Sequence, residues 1–236
     1  VRGYKEELHI PMSQEDYHQT GMIGPYYTGI TTTLGTIEAK RTTAWPDMGA
    51  LCVRLLYEAG VRPGDRVAAG FSGSFPAMNL AVMAACQSMK VEVIPISSVG
   101  ASTYGATDPE LTFPEMLHRL VQDGVLTTDS AAVTLGGDND TGDGMLPEQK
   151  MEILERLEQA GLVIFQGPKF LNNLEQRQEI YERQGPIQCF VSVGGNVTSM
   201  GVGERGIALG QGVLDPRSAM PVTDQSGLVE RYLGRG

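Results

Sequence analysis

The sequence has few of the residues that hold metal ions or build disulfide frameworks, with only three histidines and three cysteines among 236 residues. The cysteines lie in apolar surroundings without CxxC or Cys/His spacing, which favours packed side chains over metal ligands or nucleophiles. The histidines show no metal-ligand spacing either. We therefore predict a protein with no resident metal and no cofactor.

Basic clusters and long apolar runs are also missing. Eighteen lysines and arginines stand against 28 aspartates and glutamates, and with no basic stripe this balance argues against binding to nucleic acid. No apolar run approaches the roughly 18–20 residues of a membrane span, and no signal-peptide pattern is present. The hydrophobic content of 41% is that of a globular protein with a full core.

What the sequence does contain is a repeated pattern of short apolar runs, most of them followed by glycine and small polar residues. These runs, with helical periodicity between them, predict strands at 66–70, 91–96, 131–135, 162–165 and 188–193. Strands that alternate with helices predict a Rossmann-like, doubly wound α/β fold, with a mostly parallel sheet and helices on both faces. The carboxyl ends of such strands meet at one edge, where α/β proteins bind ligands.

The chain divides into two predicted parts. Residues 1–44 begin with a predicted helix over 1–8, are rich in threonine, glycine and tyrosine, and predict an irregular arm packed on the body. Residues 45–236 predict a single α/β domain, with loop-like sequence over 201–220 and a final helix over 227–236 that leads toward a missing strand. Because the chain also begins without methionine, we expect a piece that is shortened at both ends.

The GFSGSFP sequence at 70–76 joins the first predicted strand to a helix, and it supplies the candidate nucleophiles Ser72 and Ser74. Backbone N–H groups at such a joint bind anions. A nucleophile elbow requires glycine two positions after the serine, where Ser72 has Ser74 and Ser74 has Pro76. Three interpretations therefore stay open for Ser74: a helix cap, a ligand contact and a nucleophile.

Further glycines and small polar residues follow the other predicted strands. Hydroxyl groups at these positions bind a carboxylate, a phosphate or an amide, or else satisfy the backbone of their own loops. Glycine lets a ligand approach the backbone closely. The predicted ligand-binding cleft includes Gly73, Ser97, Ser98, Ser102, Gly136, Gly137, Asp138, Gly194, Gly195 and Asn196.

Lys40 and Arg41 are adjacent cations in an acidic chain, and they are the predicted contacts for a ligand carboxylate. The alternative is a solvated surface pair.

The DNDTGDG sequence at 138–144 places three carboxylates within six residues. It is not an EF-hand loop, because Gly142, Asp143 and Gln149 stand where that loop needs an oxygen ligand, glycine and glutamate. A looser divalent-metal or catalytic-acid role and a solvated turn stay open as alternatives.

Several of these segments, taken in order, resemble the bacterial poly-γ-glutamate system proteins. They are GP at 24–25, TTTLG at 31–35, EAKRT at 38–42, GFSGSFPA at 70–77, SSVGAS at 97–102 and LGGD at 135–138. The resemblance runs from about residue 21 to about residue 201. It implies an extracytoplasmic body with an N-terminal membrane anchor that this chain does not contain, and a part in poly-γ-glutamate synthesis or export and so in capsule biosynthesis. It carries no established reaction onto numbered residues.

The predicted function is therefore that of an accessory protein that binds a γ-glutamyl polymer, a precursor, or a partner in the membrane-bound synthesis machinery. Contact with a membrane is expected only through the missing anchor. The alternative is a serine-dependent hydrolase or transpeptidase that acts on γ-glutamyl amide bonds through Ser72 or Ser74, with a histidine or carboxylate as the base. A structural subunit without a ligand is the third interpretation.

Overall fold

The computed structural model describes residues 1–203 and 205–235. Strands β1 to β6 span Thr31–Thr33, Arg66–Phe71, Glu92–Ser98, Ala101–Ser102, Ala132–Thr134 and Cys189–Val193. Helices α1 to α10 span Arg2–Glu7, Ile37–Thr43, Asp47–Glu58, Pro76–Met89, Phe113–Gln122, Pro147–Gln159, Phe170–Glu182, Val197–Met200, Arg205–Ala208 and Leu228–Leu233, with a 3-10 turn at Pro216–Ser218. Within the described residues no helix is both long enough and apolar enough to cross a membrane.

The central sheet has four parallel strands in the order β5-β3-β2-β6. In sequence order, β3 lies beside β2 and β5 lies beside β3 on one side, whereas β6 lies on the other side of β2. In open α/β sheets the carboxyl ends of the two strands at such a reversal flank the ligand crevice. The prediction of a Rossmann-like α/β fold with a parallel sheet is confirmed.

Alternation along the strands distributes the core over both faces of the sheet. In β2, Val67, Ala69 and Phe71 pack with α3, α4 and α5, whereas Ala68 packs with α7 and α10 on the opposite face. This follows from the two-residue side-chain period of a strand. Because both faces are covered, the strands are mostly apolar, as is usual for parallel sheets.

Two predicted elements differ from those in the structure. The predicted strand at 162–165 is reduced to a single bridge between Val133 and Ile164. The Asp-Pro-Glu sequence at 108–110 predicts the start of a helix, but α5 begins at Phe113, because Thr112 and Glu115 form a capping box that fixes its first turn. Asp108 is instead held by Lys5, whose Nζ lies 2.6 Å from its carboxylate, so it ties α1 to the body.

The amino-terminal arm lies along the C-terminal edge of the sheet. Its strand β1 pairs in parallel with β4, which directly follows β3, and Gly24 N–H donates to Gly105 O at 2.9 Å. A domain boundary at residue 44 stays a prediction. At the other end, the predicted loop at 201–220 contains the short helix α9, and the predicted last helix is α10. Glu204 and Gly236, which belong to those two predictions, lie outside the described residues.

Candidate functional site

The loops after β2, β3 and β6 meet at the C-terminal edge of the sheet. Ser72 Oγ lies 2.9 Å from Ser74 Oγ, which accepts a hydrogen bond from Ser102 N–H, also at 2.9 Å. A Cβ at Gly194 would lie 3.1 Å from Ser72 Cβ, and a Cβ at Gly73 would lie 2.5 Å from Val99 O. The structure therefore brings these predicted residues together in a densely packed cluster.

The serine hydroxyls of this cluster are buried and bonded within the protein. Ser72, Ser74 and Ser102 are all less than a tenth exposed. The interpretation of Ser74 as a helix cap is wrong, because Phe75 is the residue before α4 and no side chain caps this helix. The Ser74 hydroxyl crosses to the Ser102 backbone instead, which holds the loop after β2 against β4.

Lys40 reaches into the same cluster from α2. Its Nζ donates to Ser74 O and to Ser102 Oγ, each at 2.6 Å, and lies 3.6 Å from the centre of the Phe75 ring. The side chain is buried, and no carboxylate within residues 1–203 and 205–235 pairs with it. Burial without a counter-charge lowers the pKa of Lys40 from 10.5 to about 8. A buried ammonium with only neutral partners is unusual, because a buried charge is normally paired.

Gly35 lies directly over the contact between Lys40 and Ser102. A Cβ at this position would lie 2.8 Å from Ser102 Oγ and 3.4 Å from Lys40 Nζ, so only glycine leaves both atoms in place. Thr103 Oγ1 accepts from Gly35 N–H and donates to Gly35 O, both at 2.8 Å. The neighbouring Leu34 is 72% exposed. Gly35, within residues 33–36 that we call the covering segment, thus packs against the contact between Lys40 and Ser102.

Arg41 does not join Lys40 in the cluster. Its guanidinium pairs with the Glu15 carboxylate, donates to Glu15 O and stacks over the Tyr17 ring at 3.8 Å. Adjacent residues on a helix point about 100° apart, so Lys40 and Arg41 face different surroundings. The expectation that both cations meet one ligand is not supported by this geometry.

Ser97 and Ser98 lie away from the Lys40 cluster. Ser97 Oγ bonds Ser130 Oγ at 2.7 Å, and Ser98 Oγ bonds Thr134 Oγ1 at 2.9 Å on the other face of the sheet. Thr134 also donates to Asp140 and accepts from Arg177. The contacts of Ser98 belong to a buried polar network between β3, β5 and α7 rather than to a ligand surface.

The loop after β5 separates its three carboxylates. Gly136 and Gly137 both have φ of +72°, a conformation that suits glycine and folds the loop back so that Gly137 bridges to Asp143. Asp138 and Asp143 are exposed, whereas Asp140 is buried against Arg177. No group of three or more metal-binding side chains occurs in the part of the chain that the structure describes.

The loop after β6 is partly accessible. Gly195 is exposed, and a Cβ there would contact nothing within 4 Å. Asn196 caps α8, because its Oδ1 accepts from Ser199 N–H at 2.8 Å. The Asn196 Nδ2 and Ser199 Oγ atoms are buried without a hydrogen-bond partner in the described residues. Asn196 therefore caps a helix with its Oδ1 atom, and its Nδ2 group stays available for the predicted ligand contact.

No hydrogen bond joins a histidine to a candidate serine within the described residues. His118 Nδ1 lies 2.6 Å from Asp129 Oδ2, and the His18 ring packs edge-on against Trp45. The cysteines are not activated either, because burial raises the pKa of Cys86 to about 12 and those of Cys52 and Cys189 to about 11. A serine nucleophile with a histidine base is thus not assembled by the described residues.

Sequence reasoning missed two features of this region. The first is the pairing of Lys40 with Ser102, which no local pattern reveals because 62 residues separate them. The second is Arg177, which lies in α7 with Leu174 and Tyr181 at helical spacing on the buried face. An arginine at an otherwise apolar position of a helix face is a signal for a buried partner, and that signal was available.

Two grooves lie away from the serine cluster. One, of about 650 Å³, is lined by Asn139, Thr141, Asp143, Pro168, Lys169, Phe170 and Leu171. The other, of about 260 Å³, is lined by Ile10, Pro11, Asp108, Pro109, Glu110, Gln149, Glu152 and Arg156. Neither groove contains Ser72, Ser74, Ser102 or Lys40.

Comparisons with known proteins add little to this description. No protein-family model and no curated protein matches the chain. A solved structure that it matches is the quinone oxidoreductase of Thermus thermophilus, determined alone and with NADPH, at 15% identity and a TM-score of 0.21. The match covers 61% of this chain and 53% of that enzyme, so the chain spans about half of the enzyme's length. At this TM-score the match carries no argument about fold or function.

Proposed function

We propose that this protein is an extracytoplasmic accessory protein of poly-γ-glutamate synthesis or export, and that it binds a γ-glutamyl chain at the C-terminal edge of its sheet. The observation that carries the proposal is the buried ammonium of Lys40, whose hydrogen-bond partners among the described residues are neutral oxygens. A carboxylate supplies the counter-charge that this ammonium lacks. A γ-glutamyl chain carries one carboxylate on every unit, and its amide carbonyls are acceptors for Asn196 Nδ2, which has no partner among the described residues at the same edge.

Because the protein is acidic overall, binding of a polyanion depends on this local cation. With a formal net charge of −10, the chain repels a polyanion at long range, and binding depends on contacts inside a Debye length of roughly 8 Å. Arg41 is already paired with Glu15, so Lys40 is the member of the predicted pair that supplies the charge. Binding requires the covering segment to move, because it lies over the lysine.

The location and the partnership with a membrane-bound machinery are supported by the sequence resemblance. They are tested by expressing the full gene product, separating membrane from soluble fractions, and treating intact cells with protease. We expect the protein in the membrane fraction and accessible to protease from outside. Recovery in the cytoplasm would contradict this part of the proposal without bearing on ligand binding.

Binding is tested by titration calorimetry with γ-linked glutamate oligomers, using α-linked oligomers of the same length for comparison. We expect the γ-linked chain to bind, and Lys40→Met to weaken binding about tenfold or more, as expected for loss of a charge-assisted hydrogen bond. Lys90→Met is the matched control, because Lys90 is exposed and follows α4 at the opposite edge of the sheet. Equal affinity in the wild type and the Lys40→Met variant would refute the electrostatic role.

A further inference from the structure

The hydroxyl of Ser102 has one hydrogen-bond partner among the described residues, and that partner is an amine. Lys40 Nζ lies 2.6 Å from Ser102 Oγ, and both side chains are almost completely buried. A serine hydroxyl becomes a useful nucleophile when an adjacent base removes its proton. A lysine amine serves as that base when it is neutral, which burial favours.

Both partners are held firmly. Lys40 Nζ is fixed by Ser74 O at 2.6 Å and by the Phe75 ring, so its position does not depend on Ser102 alone. The Ser102 backbone is fixed in turn by the Ser74 hydroxyl, which accepts its N–H. With a pKa of about 8, Lys40 is partly neutral under mildly alkaline conditions. The arrangement therefore provides a positioned nucleophile and a base that is available near neutral pH.

The side of Ser102 Oγ that faces the covering segment meets the backbone of Gly35. A side chain there would collide with the hydroxyl, since the Cβ would lie at 2.8 Å. When residues 33–36 are displaced, the hydroxyl and the amine are uncovered together, because Gly35 covers both.

We propose that Ser102 and Lys40 form a nucleophile–base dyad for acyl transfer from an ester or amide. Lys40, as the free amine, takes the hydroxyl proton while Ser102 Oγ forms a bond to the carbonyl carbon. The resulting ammonium returns that proton to the leaving alcohol or amine as the C–O or C–N bond breaks, which leaves an acyl ester on Ser102. Water then adds to this ester, Lys40 takes a proton from the water, and Ser102 Oγ leaves with that proton as the acid is released. The net reaction consumes one water and requires no redox partner.

This activity goes beyond ligand binding and does not rest on the identity of the proposed ligand. It also requires the opposite protonation state of Lys40, because carboxylate binding uses the ammonium and acyl transfer uses the amine. A carboxylate seated on Lys40 therefore blocks the dyad, so short γ-glutamyl oligomers should inhibit acylation. As the pH rises through about 8, γ-glutamyl binding should therefore weaken and the rate of acylation should increase.

The test uses an alkyl fluorophosphonate probe, which forms a P–O bond with an activated serine as fluoride leaves. The wild-type protein is labelled between pH 6.5 and 9.5, and the modified peptide is identified by mass spectrometry. We expect the label on Ser102, with a rate that rises through about pH 8. Ser102→Ala should abolish labelling, and Lys40→Met should slow it about a hundredfold or more, which is the usual contribution of a general base. Lys90→Met is the control, since Lys90 is exposed just beyond the far end of α4.

Three results would overturn the dyad: no labelled serine in the wild type, a label on Ser72 or Ser74 instead, or a rate that is independent of Lys40. Lys40→Arg, which keeps the charge but supplies no base, separates loss of the base from loss of the fold, and circular dichroism confirms folding of every variant. If calorimetry still detects γ-glutamyl binding while labelling fails, only the dyad is refuted. If labelling succeeds and binding fails, the proposed function is refuted and the dyad stands.

Discussion

Arg177 in α7 and Asp140 in the loop after β5 form an ion pair that is sealed from solvent. Arg177 Nη2 lies 2.7 Å from Asp140 Oδ2, and the two side chains are 0% and 3% exposed. Burial by itself lowers the pKa of Arg177, but the interactions with Asp140 and Tyr181 together raise it above its usual value, so the guanidinium stays protonated. The pair fixes α7 to the C-terminal ends of β3 and β5, because Ser98 and Thr134 bond the same guanidinium.

Arg177→Met is expected to lower the free energy of unfolding by about 3–5 kcal/mol, since it leaves a buried carboxylate without its partner. The double variant Arg177→Met/Asp140→Leu should recover part of that loss, because no unpaired charge then remains. Urea denaturation of the two single variants and the double variant measures this coupling. Strictly additive losses would contradict the assignment of a coupled buried pair.

Lys40 should make stability depend on pH. Its pKa is about 8 in the native state and 10.5 in the unfolded chain, so between these values the unfolded state binds more protons. The free energy of unfolding therefore rises with pH through this interval, by on the order of 1 kcal/mol between about pH 7 and 9. Guanidinium titrations at a series of pH values should show this rise in the wild type and in Lys90→Met, but not in Lys40→Met. A parallel rise in Lys40→Met would assign the effect to another group.

Gly35→Ala should disturb the dyad more than the fold. The new Cβ forces Ser102 Oγ away from its position, at a cost of about 1 kcal/mol if the hydroxyl leaves its rotamer. We expect the labelling rate of Ser102 to fall at least tenfold, while the melting temperature changes by only a few degrees. Gly49→Ala is the matched control, because a Cβ in that position of α3 contacts nothing within 4 Å and alanine favours the helix. Unchanged labelling in Gly35→Ala would show that the hydroxyl tolerates the added methyl group.

Gly73 and Gly195 should respond differently to the same substitution. A Cβ at Gly73 would lie 2.5 Å from Val99 O and 3.0 Å from Gly100 O, and backbone oxygens cannot move aside as a flexible side chain does. Gly73→Ala is therefore expected to destabilise the protein by about 1–3 kcal/mol. Gly195→Ala, at a position with no neighbour within 4 Å of the new Cβ, should stay within about 0.5 kcal/mol of the wild type. Thermal denaturation compares the two, and similar melting temperatures would contradict the close approach of the loops after β2 and β3.

The sequence predicted the sheet because its signals are local. The apolar run at 66–70 and the small-residue helix after Pro76 each lie within one stretch of chain, and both appear as β2 and α4. The predicted strand at 162–165 failed for the opposite reason. Leu162 and Phe165 pack in cores with α6 and α7, Val163 is exposed, and Ile164 forms a single backbone bridge. In a short apolar run, the sequence pattern of a buried loop is the same as that of a paired strand.

The sequence by itself determined an acidic α/β protein whose strands end in glycine and serine, because hydrophobic periodicity and turn chemistry act over a few residues. Only the tertiary structure decided which of those residues meet. In the folded protein the serines are buried, Arg41 pairs with Glu15, and Lys40 lies beside Ser102 and beneath Gly35. The physical reason is that these contacts join distant parts of the chain, and the packing of the arm on the sheet edge sets them.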